Sequence, residues 1–203
     1  VISLLQSCGS VNDAGSVKKD NSYWNDPLFE FSWSLNNTGQ NVFSKRGGKP
    51  GEDININRAH TVDKLTGKGI KVVISDTGIQ EDHPDLRENL LNWERRNYKD
   101  NNMTNYYLRP TDAHGTMVSG IVGALGNNGV GSVGIAPEVT MIDFNWLDPN
   151  LNLKAEDYKA VKSDQFNGDY DIFNFSWGKS ICYPFSVVPI NIKNKVRLQA
   201  TEG

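Results

Sequence analysis

Apolar positions along the chain switch between two periods. Between Asp53 and Leu65, Ile56, Ala59, Val62 and Leu65 recur at steps of three and Gly67 follows, which predicts a surface helix closed by glycine. Ile70 to Ser75 is a β-branched run, Ile-Lys-Val-Val-Ile-Ser, and predicts a buried strand. His114 to Leu125, rich in Val, Ile, Ala and Gly, predicts a buried helix. Val139 to Phe144 predicts a second strand, Ala155 to Phe166 a second surface helix, and Asp171 to Ser176 a third strand. Asn89 to Asp112, polar and aromatic, reads as a long loop or irregular insertion, and no internal repeat is visible. Helices alternating with strands predict an α/β fold with a parallel sheet flanked by helices.

The two ends read differently. Val1 to Leu5 is apolar except for Ser3, and Leu5-x-Ser7-Cys8 is similar to a short lipobox, with Cys8 as the residue that takes the lipid. The competing reading is an ordinary cysteine paired with another. Either places the protein outside the cytoplasm, whether secreted, periplasmic or lipid-anchored at a bacterial envelope. Residues 1–22 are therefore expected to be the end of a leader-like segment and a polar linker, with one domain over 23–203. Near the other end, Ile192, Val196 and Ala200 lie four apart and Gly203 sits where a helix cap would fall.

Composition narrows the function classes. A net charge of −3 and a pI of about 5.6 argue against a nucleic-acid binder. No apolar run approaches the roughly 18 residues of a membrane span. Two Cys in 203 residues do not make a disulfide scaffold. Five Trp, seven Tyr and eight Phe supply core pieces that a disordered chain lacks. The hydrophobic fraction is a lean 37%, while 23 Asn and 19 Gly predict long, ordered surface loops.

Candidate chemistry sits where the strands end. Asp76-Thr77-Gly78-Ile79 follows the first strand directly, and in parallel sheets the working crevice lies at the carboxyl ends of strands. On its own, Asp76 could ligate a metal, act as acid or base, orient a histidine, or simply be a solvated turn residue. His114-Gly115-Thr116-Met117-Val118-Ser119-Gly120 opens a helix. The dipole at a helix N-terminus favours a neutral imidazole, the form a general base requires. His60, on the first surface helix, and His83, before Pro84, carry no chemistry in this reading.

Asp76-Thr77-Gly78 followed by His114-Gly115-Thr116-x-Val118-x-Gly120 resembles the subtilisin-like serine proteases, the subtilases. Further matches run in register: His83-Pro84-Asp85-Leu86, Gly134-Ile135-Ala136-Pro137 and Asn174-Phe175-Ser176-Trp177-Gly178. Ahead of Asp76, Asn25-Asp26-Pro27-Leu28-Phe29, Trp33-x-Leu35, Asp53-Ile54-Asn55 and Thr66-Gly67-x-Gly69-Ile70 are similar to the kexin-like branch. The resemblance covers about residues 23 to 203. Two positions depart from that branch: Thr77 stands where it usually has a second Asp, and Met117-Val118 where it usually has Arg-Cys. A preference for paired basic residues is not carried over.

The resemblance implies a subtilisin-like parallel sheet and a serine endopeptidase acting on polypeptides. It makes His114 the general base, Asp76 its orienter, and Ser176-Trp177-Gly178 the wall along which an extended substrate binds by strand addition. Trp146 and Leu147 then either line subsites or pack the core. The family's nucleophile lies in a Gly-Thr-Ser-x-Ala/Met context, and no such segment occurs in these 203 residues. The expectation is therefore the N-terminal half of a protease domain. It is inactive alone, and the C-terminal half, its partner, brings the serine and the oxyanion-hole Asn. The resemblance also implies structural Ca²⁺ held by Asp26, Asp85 and the loop Gly126, Asn128, Val130 and Ser132. Two carboxylates, an amide and turned-in carbonyls suit this hard ion; a metal-free Asn-Gly turn is the alternative.

Two rival readings stand beside this one. Asp-Thr-Gly also occurs in aspartic proteases, which need a second copy and an all-β fold; the helix patterns and the His-Gly-Thr segment speak against that. A non-catalytic, subtilase-like binding protein fits the absent serine. A Gly-Thr-Ser segment encoded after Gly203 would separate it from the enzyme.

Overall fold

The computed structural model describes residues 23–41, 45–98, 113–147, 159, 161–164 and 168–177. Within them, four strands form one all-parallel sheet: β1 (Lys71–Asp76), β2 (Arg96–Asn97), β3 (Thr140–Asn145) and β4 (Ile172–Asn174), in the order β2-β3-β1-β4. Two helices accompany them, α1 (Asn57–Thr61) and α2 (His114–Gly123), with single 3-10 turns at Phe29–Phe31 and Arg87–Asn89. The α/β reading with a parallel sheet is the fold observed.

β1 and β3 are the middle of the sheet, paired in register from Lys71↔Thr140 to Asp76↔Asn145. Both are covered on both faces: β1 carries the apolar run Val72-Val73-Ile74, while β3 interleaves the buried polar Asp143 and Asn145 with Met141, Ile142 and Phe144. On one face Val72, Ile74 and Met141 pack with Ile79, Leu86 and Val139 beneath Val118 and Val122 of α2. On the other, Val73, Ile142, Phe144 and Trp146 pack with Val161, Tyr98 and Phe173. α2 turns a small-residue face inward, with Gly115, Thr116, Ser119 and Gly123 buried. A Cβ on Gly123 would run into Val139 and Met141, so the small face lets the helix lie close on β3. Ile121 on the far side is 66% exposed, so α2 is half-buried rather than wholly buried as its composition suggested.

The largest departure from the expected elements is α1, which spans five residues instead of Asp53 to Leu65. Asp53 accepts the amides of Asn37 (2.9 Å) and Asn55 (2.8 Å), and Asn55 adopts φ 56°, so the first turn is a side-chain-bonded loop. Lys64, also at φ 56°, ends the other side. Val62 and Leu65 are exposed, so their spacing marks no buried face. His60 is not a surface residue: it is 2% exposed, bonds the Ile135 carbonyl through Nε2 (2.7 Å) and meets Trp24 edge-on. The stretch from Asn89 begins on the last residue of the Arg87–Asn89 3-10 turn and holds the edge strand β2 before it leaves the described residues at 99. Of the second surface helix, residues 161–164 are helical and Val161 is buried. Cys8, Gly178, Cys182 and the helix expected over 190–200 lie outside the described residues.

Candidate active site

The site forms where β1 ends and α2 begins. Asp76, the last residue of β1, has no solvent exposure. Its Oδ1 accepts the Thr77 amide (2.7 Å) and lies 2.7 Å from His114 Nδ1. That contact commits Nδ1 as the protonated nitrogen, because an ionised carboxylate only accepts. The His114 side chain is about half exposed at 49%, so one edge of the ring is anchored while the ring remains open to solvent.

Backbone packing holds the pair in place. The turn after β1 needs Gly78, which sits at φ 106°. A Cβ on Gly115 would collide with the Gly78 carbonyl, so only glycine lets the helix start this close to the strand's end. Two threonine hydroxyls lock the junction: Gly115 N–H donates to Thr77 Oγ1 (2.9 Å), and Gln80 N–H to Thr116 Oγ1 (2.9 Å). Thr77, which sequence comparison marks only as a departure from the kexin-like pattern, thus has a positioning role. Ser119 Oγ returns a bond to the Gly115 carbonyl (2.7 Å), bracing the first turn from within.

The candidate substrate wall lies beside the same strand. β4 pairs with β1 as far as Ile74↔Asn174, and the chain continues past Ser176 to Trp177, whose Nε1 donates to the Ser75 carbonyl (2.8 Å). Ser176 is exposed and its Oγ exchanges hydrogen bonds with the Asn174 amide. Trp177 packs edge-on against Trp146 at 4.9 Å. Trp146 itself is 4% exposed and donates to Ser75 Oγ (2.8 Å), which makes it a core residue rather than a subsite lining; Leu147 packs against the same cluster.

The residues expected to hold a cation also converge. Asp26 and Asp85, each 4% exposed, meet on the Gly126–Ser132 loop. Asp26 accepts the amides of Asn127 (2.8 Å) and Asn128 (3.2 Å). Asp85 accepts Asn128 Nδ2 (2.8 Å) and the Ser132 amide (3.2 Å). A Cβ on Gly131 would collide with Asp85 Oδ2, so the loop wraps that carboxylate closely. Burial pushes the Asp85 carboxyl up to about 6 against the pull of Asn128 and Ser132, and the Asp26 charge adds to the rise. Each oxygen named accepts one hydrogen bond here and keeps a further lone-pair site. The four carboxylate oxygens suit a hard divalent cation, which would offset the repulsion between them. The Asn128 amide, however, turns its nitrogen to Asp85 and its oxygen to the Val130 amide, so it would have to rotate to join as a ligand. Among the described residues no three His, Cys, Asp or Glu side chains gather, so such an ion would depend on amide and carbonyl oxygens as well.

Comparison with known proteins bears on the family and the fold. The subtilase family (Peptidase_S8) matches residues 67–200. The chain is 38% identical over 165 residues to the Aeromonas extracellular serine protease of Aeromonas sobria, covering 79% of this chain and 26% of that protein. It is 35% identical over 158 residues to human neuroendocrine convertase 2, covering 76% of this chain and 23% of the convertase. The crystal structure of the serine protease of Aeromonas sobria superposes with a TM-score of 0.74 at 34% identity, covering 95% of this chain and 32% of that one. The same protease solved with its chaperone gives a TM-score of 0.73 at 35% identity, over 86% of this chain and 29% of that one. The chain thus spans about a quarter of the length of the curated relatives it matches.

Proposed function

The chain belongs to the subtilase family, and from that membership we propose that it carries the base and orienter of a serine endopeptidase that hydrolyses polypeptides by an Asp-His-Ser triad. The observation that carries the proposal is the 2.7 Å contact between a fully buried Asp76 and a half-exposed His114. In this reading Asp76 holds Nδ1 protonated, which leaves Nε2 as the basic nitrogen. Nε2 takes the serine proton as the hydroxyl attacks the scissile carbonyl, then returns it to the leaving amine. Asp76 stabilises the imidazolium formed in between. Substrate lies extended along Ser176-Trp177-Gly178.

No Gly-Thr-Ser segment occurs in the 203 residues. The nucleophile and the oxyanion-hole donors accordingly come from outside them, and these residues alone cannot form an acyl-enzyme. A structural Ca²⁺ is proposed at Asp26, Asp85, Asn128 and the backbone of Gly126, Val130 and Ser132; bound there, it would neutralise the two carboxylates and fasten three distant segments. An extracytoplasmic location follows from the same reading. No helix among the described residues is long and apolar enough to cross a membrane.

The test compares the full-length protein with the isolated 203-residue chain, using casein hydrolysis and labelling by a serine-reactive fluorophosphonate. The full-length protein is expected to do both and the chain neither. Failure of the full-length protein in both assays removes the endopeptidase reading; hydrolysis by the purified chain removes the external nucleophile.

A further inference from the structure

Asp76 is anchored through one oxygen only. Oδ1 takes both His114 Nδ1 and the Thr77 amide, whereas Oδ2, shut off from solvent, has no donor among the described residues. A buried carboxylate oxygen without a donor is rare and unfavourable. Asn145, 4% exposed, has another such atom, its Oδ1, and Asp143, two residues earlier on the same face of β3, is a further buried carboxylate, whose Oδ2 accepts the Ile79 amide (3.2 Å).

The sheet register makes Asp76 and Asn145 neighbours. Asp76 and Asn145 are direct partners across β1 and β3, on strands roughly 5 Å apart. Side chains alternate faces along a strand, and residues in register share a face. Val72, Ile74 and Met141 lie under α2, so steps of two put Asp76 and Asn145 on that same face. Val73, Ile142, Phe144 and Trp146 occupy the opposite face, as does Ser75, which Trp146 Nε1 bonds, so the alternation holds to the ends of both strands. Asn97 of β2 extends the row through its register with Asn145.

Two acceptors facing one buried space repel. An asparagine amide has an acceptor at one end and two donors at the other in nearly the same shape, and a half-turn about Cβ–Cγ exchanges them. We propose that Asn145 is a positioning residue for the Asp76–His114 pair, its amide nitrogen donating to Asp76 Oδ2. With both oxygens anchored, the carboxylate cannot rotate away from His114 Nδ1. A neutral donor on Oδ2 also draws off part of the charge that would otherwise hold the imidazolium. The inference rests on the proposed base role of His114, not on the source of the nucleophile.

The test uses the full-length protein with Asn145→Leu, which keeps the shape and removes the donor, and Asn145→Ser, which restores a smaller donor. Kinetics are taken across pH, and the downfield Nδ1–H proton resonance of His114 is recorded without substrate. Asn145→Leu should lower kcat about tenfold with KM changed by less than about twofold. It should move the acidic limb of the kcat/KM profile about half a pH unit higher and displace the His114 resonance. Asn145→Ser should recover part of each change, and adding Asn145→Leu to Asp76→Asn should cost nothing more. A Leu variant with wild-type resonance and pH profile overturns the inference, as does a fall in kcat that only tracks lost folded protein. If the Leu variant does not fold, the Ser variant decides by the same measures. A wild-type protein without proteolysis would sink the proposed function, while the resonance would still decide the role of Asn145.

Discussion

At the residue scale, the pair Asp76–His114 is shaped by what surrounds the carboxylate. Asp76 is fully buried, yet its Oδ1 takes two donors, so its charge is spent on orienting one ring nitrogen. His114→Ala in the full-length protein is expected to abolish turnover and leave the fold intact, with a modest fall in melting temperature because the fully buried Asp76 loses one of its two donors. Asp76→Asn keeps the shape but presents an amide to Nδ1 and favours the wrong tautomer. A loss of about 10⁴ in kcat is expected, as for the analogous change in another serine protease. Near-wild-type kcat in either variant would show that the pair does not act as base and orienter.

At the scale of elements, the junction between β1 and α2 is what turns two polar residues into a site. Gly78 makes the turn, Gly115 lets the helix start against it, and Thr77 and Thr116 bond across. Gly115→Ala should force the helix off the Gly78 carbonyl and move His114 with it. A displacement of order 1 Å can cost about 100-fold in rate, and the overpacking about 1–3 kcal/mol of stability. Steady-state kinetics with a denaturant melt would check both. A variant with unchanged kcat and melting would show that the junction yields elsewhere.

At the scale of the whole molecule, the Gly126–Ser132 loop ties together parts of the chain that are distant in sequence. Asp26 reaches it from the N-terminal segment and Asp85 from the turn after β1, and the Leu28 amide bonds the Gly131 carbonyl. Calcium should raise the melting temperature of the full-length protein, since a ligand of the folded state at 100 times Kd adds about 2.7 kcal/mol. Asp85→Ala should erase most of that shift and Asp26→Ala part of it; equal shifts in wild type and Asp85→Ala would take Asp85 out of the site. The pH dependence has a definite sign. The Asp85 carboxyl is raised from 3.8 to about 6 by burial first, so without a cation the folded protein holds a proton there that the unfolded chain has released. Its contribution to stability is fully present below about pH 4 and is lost as pH rises through about 6. In chelator, melting temperatures of wild type relative to Asp85→Ala should therefore fall between pH 4 and 7. Saturating calcium, which favours the ionised form, should flatten or reverse that trend.

Much of this was legible in the chain itself. β1 and β3 are central strands covered on both faces, and Val72-Val73-Ile74 in one and Met141, Ile142 and Phe144 in the other carry enough apolar signal that the expected ranges fall within a residue or so of those observed. Asp76 and His114 stand at element boundaries, but position alone left Asp76 open, and it is the resemblance of Asp76-Thr77-Gly78 and His114-Gly115-Thr116 to the subtilases that paired them. Other features depend on contacts between distant residues. α1 shrank because Asp53 bonds the Asn37 amide, and His60 became a core residue because Trp24 and Ile135 close over it. β2 has two residues, too few for a period, and exists only because β3 offers an edge. Local sequence sets backbone preference and the face each side chain takes. Which polar atoms meet, as at Thr77 and Gly115 or along the row of Asp76 and Asn145, is decided only when the strands pair and the helix docks.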